Sequence, residues 1–434
     1  MPQWWEEKGH LEVKGNRLFI READACRLAD RFGTPLYVMN ADKVIENYRR
    51  ISDAYRKFYP NVTVHYAAKA NASLALLELL RREGAGVDCV SGGEMLLALR
   101  AGFKGRKMIF TINTKSREEI KFAIENGVII TLDAESEVEQ VEEIAGEEGK
   151  KALVCFRVNP DVVAATHAGW QTGRRESKFG IPMDRVVEAY EKALAANFVE
   201  PIGVHTHIGS QILEARPFAQ AAAKLMRLCG ELKDIGVRLR FVDLGGGIGI
   251  RYRRGERVLE PKTVAGAVMP MVKKEAKRLG LGNLEVKIEP GRYIVGNAGV
   301  LLARVQTVKE GAAKKFVAVD AGFNVLARPA MYGAWHEAVV ANNVAGGQAE
   351  KADVVGNICE SGDVLARDRH LPVVKEGDVI AFLCAGAYGM AMASNYNMRP
   401  LPAEVLVRRG KAFLVRERQA FEELLLNQRV PKGL

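Results

Sequence analysis

Lys69 stands in His65-Tyr66-Ala67-Ala68-Lys69-Ala70-Asn71, where a β-type run, Val62–Tyr66, gives way to a leucine-rich helical stretch. An amine at the mouth of a strand is poorly placed to support a core. It is well placed to form a Schiff base with an aldehyde. Three later segments also follow strand-like runs: His207-Ile208-Gly209-Ser210-Gln211, Gly245-Gly246-Gly247-Ile248-Gly249 and Glu289-Pro290-Gly291-Arg292. Gly245, Gly246 and Gly247 let backbone N–H groups approach a phosphate without Cβ clashes, and Ser210 adds a hydroxyl. Glu289 is suited to hold a proton on a pyridine nitrogen, and His207 to stack its flat ring on a cofactor. An amine for the aldehyde, an acid for the ring nitrogen and a nest of donors for the phosphate are what pyridoxal phosphate requires.

The elements that must position these groups repeat along the chain. Strand-like runs occur at Val62–Tyr66, Gly86–Val90, Met108–Ile112, Val128–Leu132, Ala152–Val158, Ile202–Ile208, Leu239–Leu244 and Leu284–Ile288. Each is followed by a loop and, except the last, by a helical pattern. Eight βα units in ~230 residues predict an α/β chain closed into a (β/α)8 barrel of the TIM type. A further helix over Lys43–Phe58 precedes the first strand. Ser91-Gly92-Gly93-Glu94 and Ser116-Arg117-Glu118-Glu119 read as capping boxes, and Gly127 as a helix stop. Barrel active sites lie at the C-terminal mouth, with phosphate often bound after strands seven and eight. Lys69 follows strand one, Asp88 ends strand two, and the three later motifs follow strands six, seven and eight. Motifs scattered along the chain thus converge on one rim, with His205 sharing the strand face of His207.

Each motif has a plainer reading. A glycine triplet alone is a tight turn. Arg157, ending strand five, reads equally as a plain ion-pair partner for Glu289. His205 and His207 have no third metal ligand at convincing spacing, so no metal is expected.

Beyond Val300 the texture changes to β-runs: Val300–Val308, Phe316–Val319, Asp378–Cys384 and Ala403–Val407, with a hairpin turn at Arg408-Arg409-Gly410-Lys411. The N-terminus reads as another hairpin, Leu11–Val13, a Gly15-Asn16 turn, then Leu18–Ile20. Both chain ends are therefore expected to build one mainly β domain, residues 1–40 and 296–434, around a barrel at 41–295. The 434 residues suit two domains. No apolar run spans a bilayer and no leader pattern opens the chain, so the cytoplasm is expected and a membrane is not. The six cysteines are dispersed and predict neither disulfides nor zinc. The net charge of +10 is spread among acids, without an arginine-rich tract, so nucleic acid is not expected as a partner.

At this point the chain resembles the diaminopimelate decarboxylases, among the barrel-type pyridoxal phosphate decarboxylases that include ornithine and arginine decarboxylases. The resemblance rests on the four motifs above. It rests also on Arg328-Pro329-Ala330-Met331-Tyr332, Cys359-Glu360-Ser361-Gly362-Asp363 and Gly386-Ala387-Tyr388-Gly389. It implies that Lys69 carries the cofactor and that Cys359 gives a proton to the substrate carbon. It implies that Arg292, Arg328, Tyr332, Glu360 and Tyr388 bind substrate, Tyr388 also reaching the cofactor phosphate. Asp88, His207, Gly291 and Arg292 join the cofactor site, and His207 joins the catalytic set. A homodimer is implied, with Cys359 and Glu360 serving the partner subunit's site. The reaction implied is decarboxylation of meso-2,6-diaminopimelate to L-lysine, the last step of lysine synthesis. The loop Thr166-His167-Ala168-Gly169-Trp170-Gln171-Thr172-Gly173 departs from the family pattern, as do Gly333 and Trp335.

Diaminopimelate carries a carboxylate at its far end, where ornithine and arginine carry cations. Arg328 beside Tyr332 suits that carboxylate through a bidentate bond, and Glu360 suits the distal ammonium. An ornithine or arginine decarboxylase is the alternative substrate class. A barrel-type racemase would set arginine, not Glu289, against the pyridine nitrogen. A non-catalytic pyridoxal phosphate carrier would lack the β domain and its cysteine.

Overall fold

The computed structural model describes residues 3–163, 172–173 and 177–434. Of the divergent loop, only Thr172 and Gly173 lie within the described residues. The chain divides into two compact units.

The first unit, Ile45–Ile250 with Arg257–Ile294, is the barrel. Its eight strands are Val62–Ala67, Gly86–Cys89, Met108–Phe110, Ile129–Leu132, Ala152–Asn159, Val199–His205, Phe241–Asp243 and Glu285–Ile288. All pair in parallel in that order, and the eighth closes on the first through Val286 opposite Val62. Strand one begins where expected; strands six and seven differ most from their expected bounds, by three residues or fewer at each end. Ser116 and Glu119 form a full capping box. Ser91 caps its helix through the N–H of Glu94, but the Glu94 carboxylate takes the N–H of Val90 instead of closing a box. The helix before strand one runs Ala41–Arg56. A single helical turn, Arg292–Val295, follows strand eight, where no helix was expected.

Inside the barrel large side chains lie against glycines. A Cβ on Gly86 would strike the His65 ring at 2.6 Å, and one on Gly203 the Phe241 ring at 2.4 Å. Ile109, Ile129, Cys155 and Phe241 form a small apolar cluster. Side chains alternate along a strand, so the residues two further on share this inner face. They are Asp88 after Gly86, Thr111 after Ile109, Arg157 after Cys155, His205 after Gly203 and Asp243 after Phe241. An apolar layer is thereby crowned by polar groups at the C-terminal mouth.

The second unit, Met1–Val44, Arg251–Glu256 and Val295–Leu434, is mainly β and draws on both chain ends. Its long strand Gly299–Glu310 pairs with Leu36–Asn40, Val379–Phe382 and Lys315–Val319. Alternate residues of that strand enter two cores, Leu301, Ala303 and Val305 in one, Val300 and Leu302 in the other. The hairpin Leu11–Lys14/Arg17–Ile20 forms as expected, with Gly15 and Asn16 at φ 55° and 64°. It belongs to a separate three-stranded sheet, however. The N-terminal strand that enters the main sheet is Leu36–Asn40, buried throughout and overlooked in the sequence.

Candidate active site

The barrel mouth gathers the sequence motifs. Lys69 sits in a short turn, Ala68–Ala70, directly after strand one, with its side chain one-third exposed. Its Nζ lies 2.5 Å from Oδ2 of the fully buried Asp88, whose other oxygen accepts the Thr111 hydroxyl. Gly291 brings the loop after strand eight against this turn. A Cβ there would meet Ala70 at 3.0 Å and Ala67 at 3.1 Å.

Glu289 and His205 face each other across the mouth, Oε2 to Nε2 at 3.2 Å, both buried. Asp243 joins them. The three offer ligand-type atoms within 4.8 Å of one another, so His205 does have acidic neighbours that spacing alone did not reveal. Burial, then the charge of Asp88, raises the Glu289 carboxyl to about 8. Burial, then Glu289, holds Asp243 well above the carboxylate range. Burial lowers His205 to about 4. Near neutral pH this is thus a cluster of uncharged, proton-holding groups, not an ion pair. Among the described residues, Oε1 of Glu289 and Oδ2 of Asp243 are buried and no hydrogen bond of ordinary geometry reaches them.

His205 and His207 part company. The Nδ1 of His207 accepts the N–H of Gly246 at 3.1 Å. Its imidazole is pushed well below the ordinary value by burial, then by Arg157 and Lys69, so the ring is neutral with its proton on Nε2. Arg157 does not pair with Glu289. It lies over the Phe179 ring, 4.4 Å from the centroid.

The triple glycine is held more tightly than a turn requires. A Cβ on Gly246 would stand 2.0 Å from the Glu289 carbonyl oxygen. A Cβ on Gly247, at φ 115°, would stand 2.3 Å from the Gly209 carbonyl oxygen. The loops after strands six, seven and eight therefore touch backbone to backbone. Two of the expected phosphate donors are engaged inside the protein, since the Gly245 N–H goes to Asp243 and that of Gly246 to His207. Ser210 Oγ accepts from Arg292 Nε at 3.3 Å and Nη2 at 3.2 Å.

The remaining predicted residues lie in the β-rich unit. Arg328 and Tyr332 open and close a short helix, Arg328–Tyr332. Arg328 is buried, stacked on the Tyr252 ring and bonded to His336. Cys359 and Glu360 are exposed, with the Cys359 N–H on Asn397 Oδ1 and the Glu360 carboxylate taking the Tyr396 hydroxyl at 2.7 Å. Tyr388 adopts φ 56°, uncommon for a bulky residue. Asp243, Tyr252 and His336 were missed in the sequence. Period two from Phe241 would have found Asp243.

A buried carboxyl with an oxygen open to a donor fits a protonated pyridine nitrogen. A lysine opposite it on the same rim fits an aldehyde. The barrel residues therefore fit pyridoxal phosphate.

Comparison with known proteins agrees with this geometry. Residues 42–296 match the pyridoxal-binding domain of the pyridoxal-dependent decarboxylases. Diaminopimelate decarboxylase of Methanothermobacter thermautotrophicus is 46% identical over 99% of this chain and 97% of its own. That of Archaeoglobus fulgidus is 47% identical over 96% and 98%. The crystal structure of the Methanocaldococcus jannaschii enzyme in complex with L-lysine superposes with a TM-score of 0.91 at 39% identity, covering 97% of this chain and 98% of that one.

Proposed function

We propose that this chain, which belongs to the pyridoxal-dependent decarboxylases and within them to the diaminopimelate decarboxylases, converts meso-2,6-diaminopimelate to L-lysine and carbon dioxide. The observation that carries the reading is the shared rim: an amine, a neutral imidazole and a buried acid brought to one barrel mouth. Pyridoxal phosphate, when bound, supplies an aldehyde for the substrate amine and a ring that takes up the electron pair released as the carboxylate leaves.

The chain's own residues do the rest. Lys69 would hold the aldehyde through its amine. Glu289 keeps a proton on the ring nitrogen, with His205 bracing its other oxygen. His207, fixed by Gly246, offers a neutral ring face. Ser210, Gly247, Arg292 and Tyr388 hold the phosphate end. Arg328 and Tyr332 take the distal carboxylate and Glu360 the distal ammonium. Cys359 returns a proton to the carbon that lost its carboxylate. Carbon dioxide release from meso-diaminopimelate, set beside ornithine and arginine, tests the reading. Equal rates with ornithine or arginine would replace it by the polyamine-precursor reading.

Removing Arg328 strands a charged group in a pocket shaped for a charge-assisted pair, at a cost of ~1.5–3 kcal/mol. Arg328→Ala is expected to lower kcat/KM for meso-diaminopimelate by roughly 10- to 100-fold with the cofactor still bound. Steady-state kinetics beside the cofactor absorbance checks both halves of that statement.

A homodimer is part of the proposal. A thiol that protonates a reactive carbon works best where water is kept out. Cys359 is exposed in the single chain, which supports a site completed by a second copy. Mixed Lys69→Ala and Cys359→Ala chains, each inactive, are expected to regain activity on subunit exchange. One composite site in the heterodimer keeps both residues. No recovery after exchange verified by mass would mean that each site is built within one chain. The cytoplasm is the proposed location. Among the described residues no helix is long and apolar enough to cross a membrane.

A further inference from the structure

Arg328 is held by two residues that no sequence motif pointed to. Its Nη1 donates to Nε2 of His336 at 2.9 Å, and its Cζ lies 4.8 Å from the centre of the Tyr252 ring. His336 is itself fixed. Its Nδ1 lies 2.9 Å from the Leu383 carbonyl oxygen, and its ring meets Tyr252 edge-on at 5.7 Å and 85°. The Arg369 Nη2 donates to the His336 carbonyl at 3.0 Å, anchoring the backbone as well. All of these residues belong to the β-rich unit.

The two ring bonds set the tautomer. A carbonyl can only accept, so Nδ1 carries the proton. A guanidinium can only donate, so Nε2 presents its lone pair. An aspartate or glutamate in this place would orient Arg328 equally well. It would also cancel the charge that a substrate carboxylate must find, and compete with that carboxylate. A neutral imidazole spends one N–H and contributes no negative charge. The Tyr252 face steadies the guanidinium plane, which bidentate recognition requires.

We propose that His336, braced by Tyr252, is a positioning residue for Arg328 and sets the enzyme's preference for a substrate with a distal carboxylate. This rests on the reading of Arg328 as the clamp for that carboxylate. The product, L-lysine, keeps the distal carboxylate, whereas 1,5-diaminopentane lacks it. The two are therefore probes of the clamp that require no turnover.

His336→Asn keeps a donor for Leu383 and loses the acceptor for Arg328. His336→Gln places an acceptor near the lost Nε2. In the holoenzyme, calorimetry should find L-lysine bound ~10-fold more weakly by His336→Asn, with 1,5-diaminopentane changed less than ~2-fold. KM for meso-diaminopimelate should rise in step while kcat stays within ~3-fold. His336→Gln should recover most of the loss. Arg328→Ala is the benchmark. If it leaves L-lysine binding unchanged, the clamp reading fails and the inference falls with it. If it weakens L-lysine but His336→Asn does not, or if His336→Asn weakens both ligands alike, the positioning role is wrong and the clamp stands. Should His336→Asn lose its cofactor, Tyr252→Leu is read by the same two ligands from a separate segment, and equal weakening of both would again overturn the role.

Discussion

Lys69→Ala is expected to lose more than ~10³-fold in decarboxylation, the largest single-residue effect expected in this protein, because the amine that would hold the aldehyde goes with it. Strand one ends at Ala67, and the short turn Ala68–Ala70 lifts Lys69 onto the rim, not into the wall. Asp88 is fully buried with one oxygen held by Thr111, so the oxygen facing Lys69 cannot swing away. Gly291 packs the strand-eight loop against the same turn, which fixes Lys69 relative to Glu289. Borohydride reduction of the yellow holoenzyme should leave the cofactor on the peptide that carries Lys69. Lys115 and Lys287 are buried lysines elsewhere in the barrel unit, each near an acid, and serve as internal controls. An adduct mapped to either of them, or to any lysine but Lys69, would overturn the assignment. In Lys69→Ala the phosphate end should still bind, because Ser210, Gly247 and Arg292 are untouched.

The barrel was legible because its signal is repetitive. Eight apolar runs with helical spacers leave few alternatives, and period two along each strand then decides which residues face inward. That logic placed Lys69, Asp88, His207 and Glu289 on one rim. It reaches only side chains whose position follows from a strand. Arg157 lies on such a strand, but its side chain stacks on Phe179, in the segment beyond strand five, which nothing in the strand itself signals. The donors of Gly245 and Gly246 were assigned to phosphate because a glycine run suggests a nest. The contacts tie them instead to Asp243 and His207, with the absent side chains required by the Thr206 and Glu289 carbonyls. Leu36–Asn40 was missed because a strand buried on both faces has no alternation to read. The Arg328 box was invisible for another reason. Tyr252, His336 and Leu383 come from three separated segments, and nothing local in any of them signals the others.

Glu289→Gln separates holding the cofactor from activating it. Glutamine keeps the size and the hydrogen bonding of the side chain and gives up the acid. In the present arrangement burial and the neighbouring Asp88 charge raise Glu289 to about 8, so the carboxyl holds its proton at neutral pH. A bound pyridine ring would offer this acid a base to hold. Glu289 would be the residue that supplies the ring its proton, and its carboxylate would then balance the positive charge beside it. The amide cannot take the charged role, so the ring nitrogen stays unprotonated and withdraws electrons less strongly. Turnover is expected to fall by ~10²–10³-fold, the scale of losing one well-placed electrostatic contact. Cofactor binding should change little, because the phosphate and the Lys69 anchor are untouched. His205 should not rescue the variant, since burial keeps it neutral down to about pH 4. Nitrogen-15 resonance of cofactor labelled in the ring reads the proton directly, protonated in the parent and not in the variant. Near-normal turnover with a protonated ring would mean that Asp243, the other buried acid beside His205, holds the nitrogen in place of Glu289.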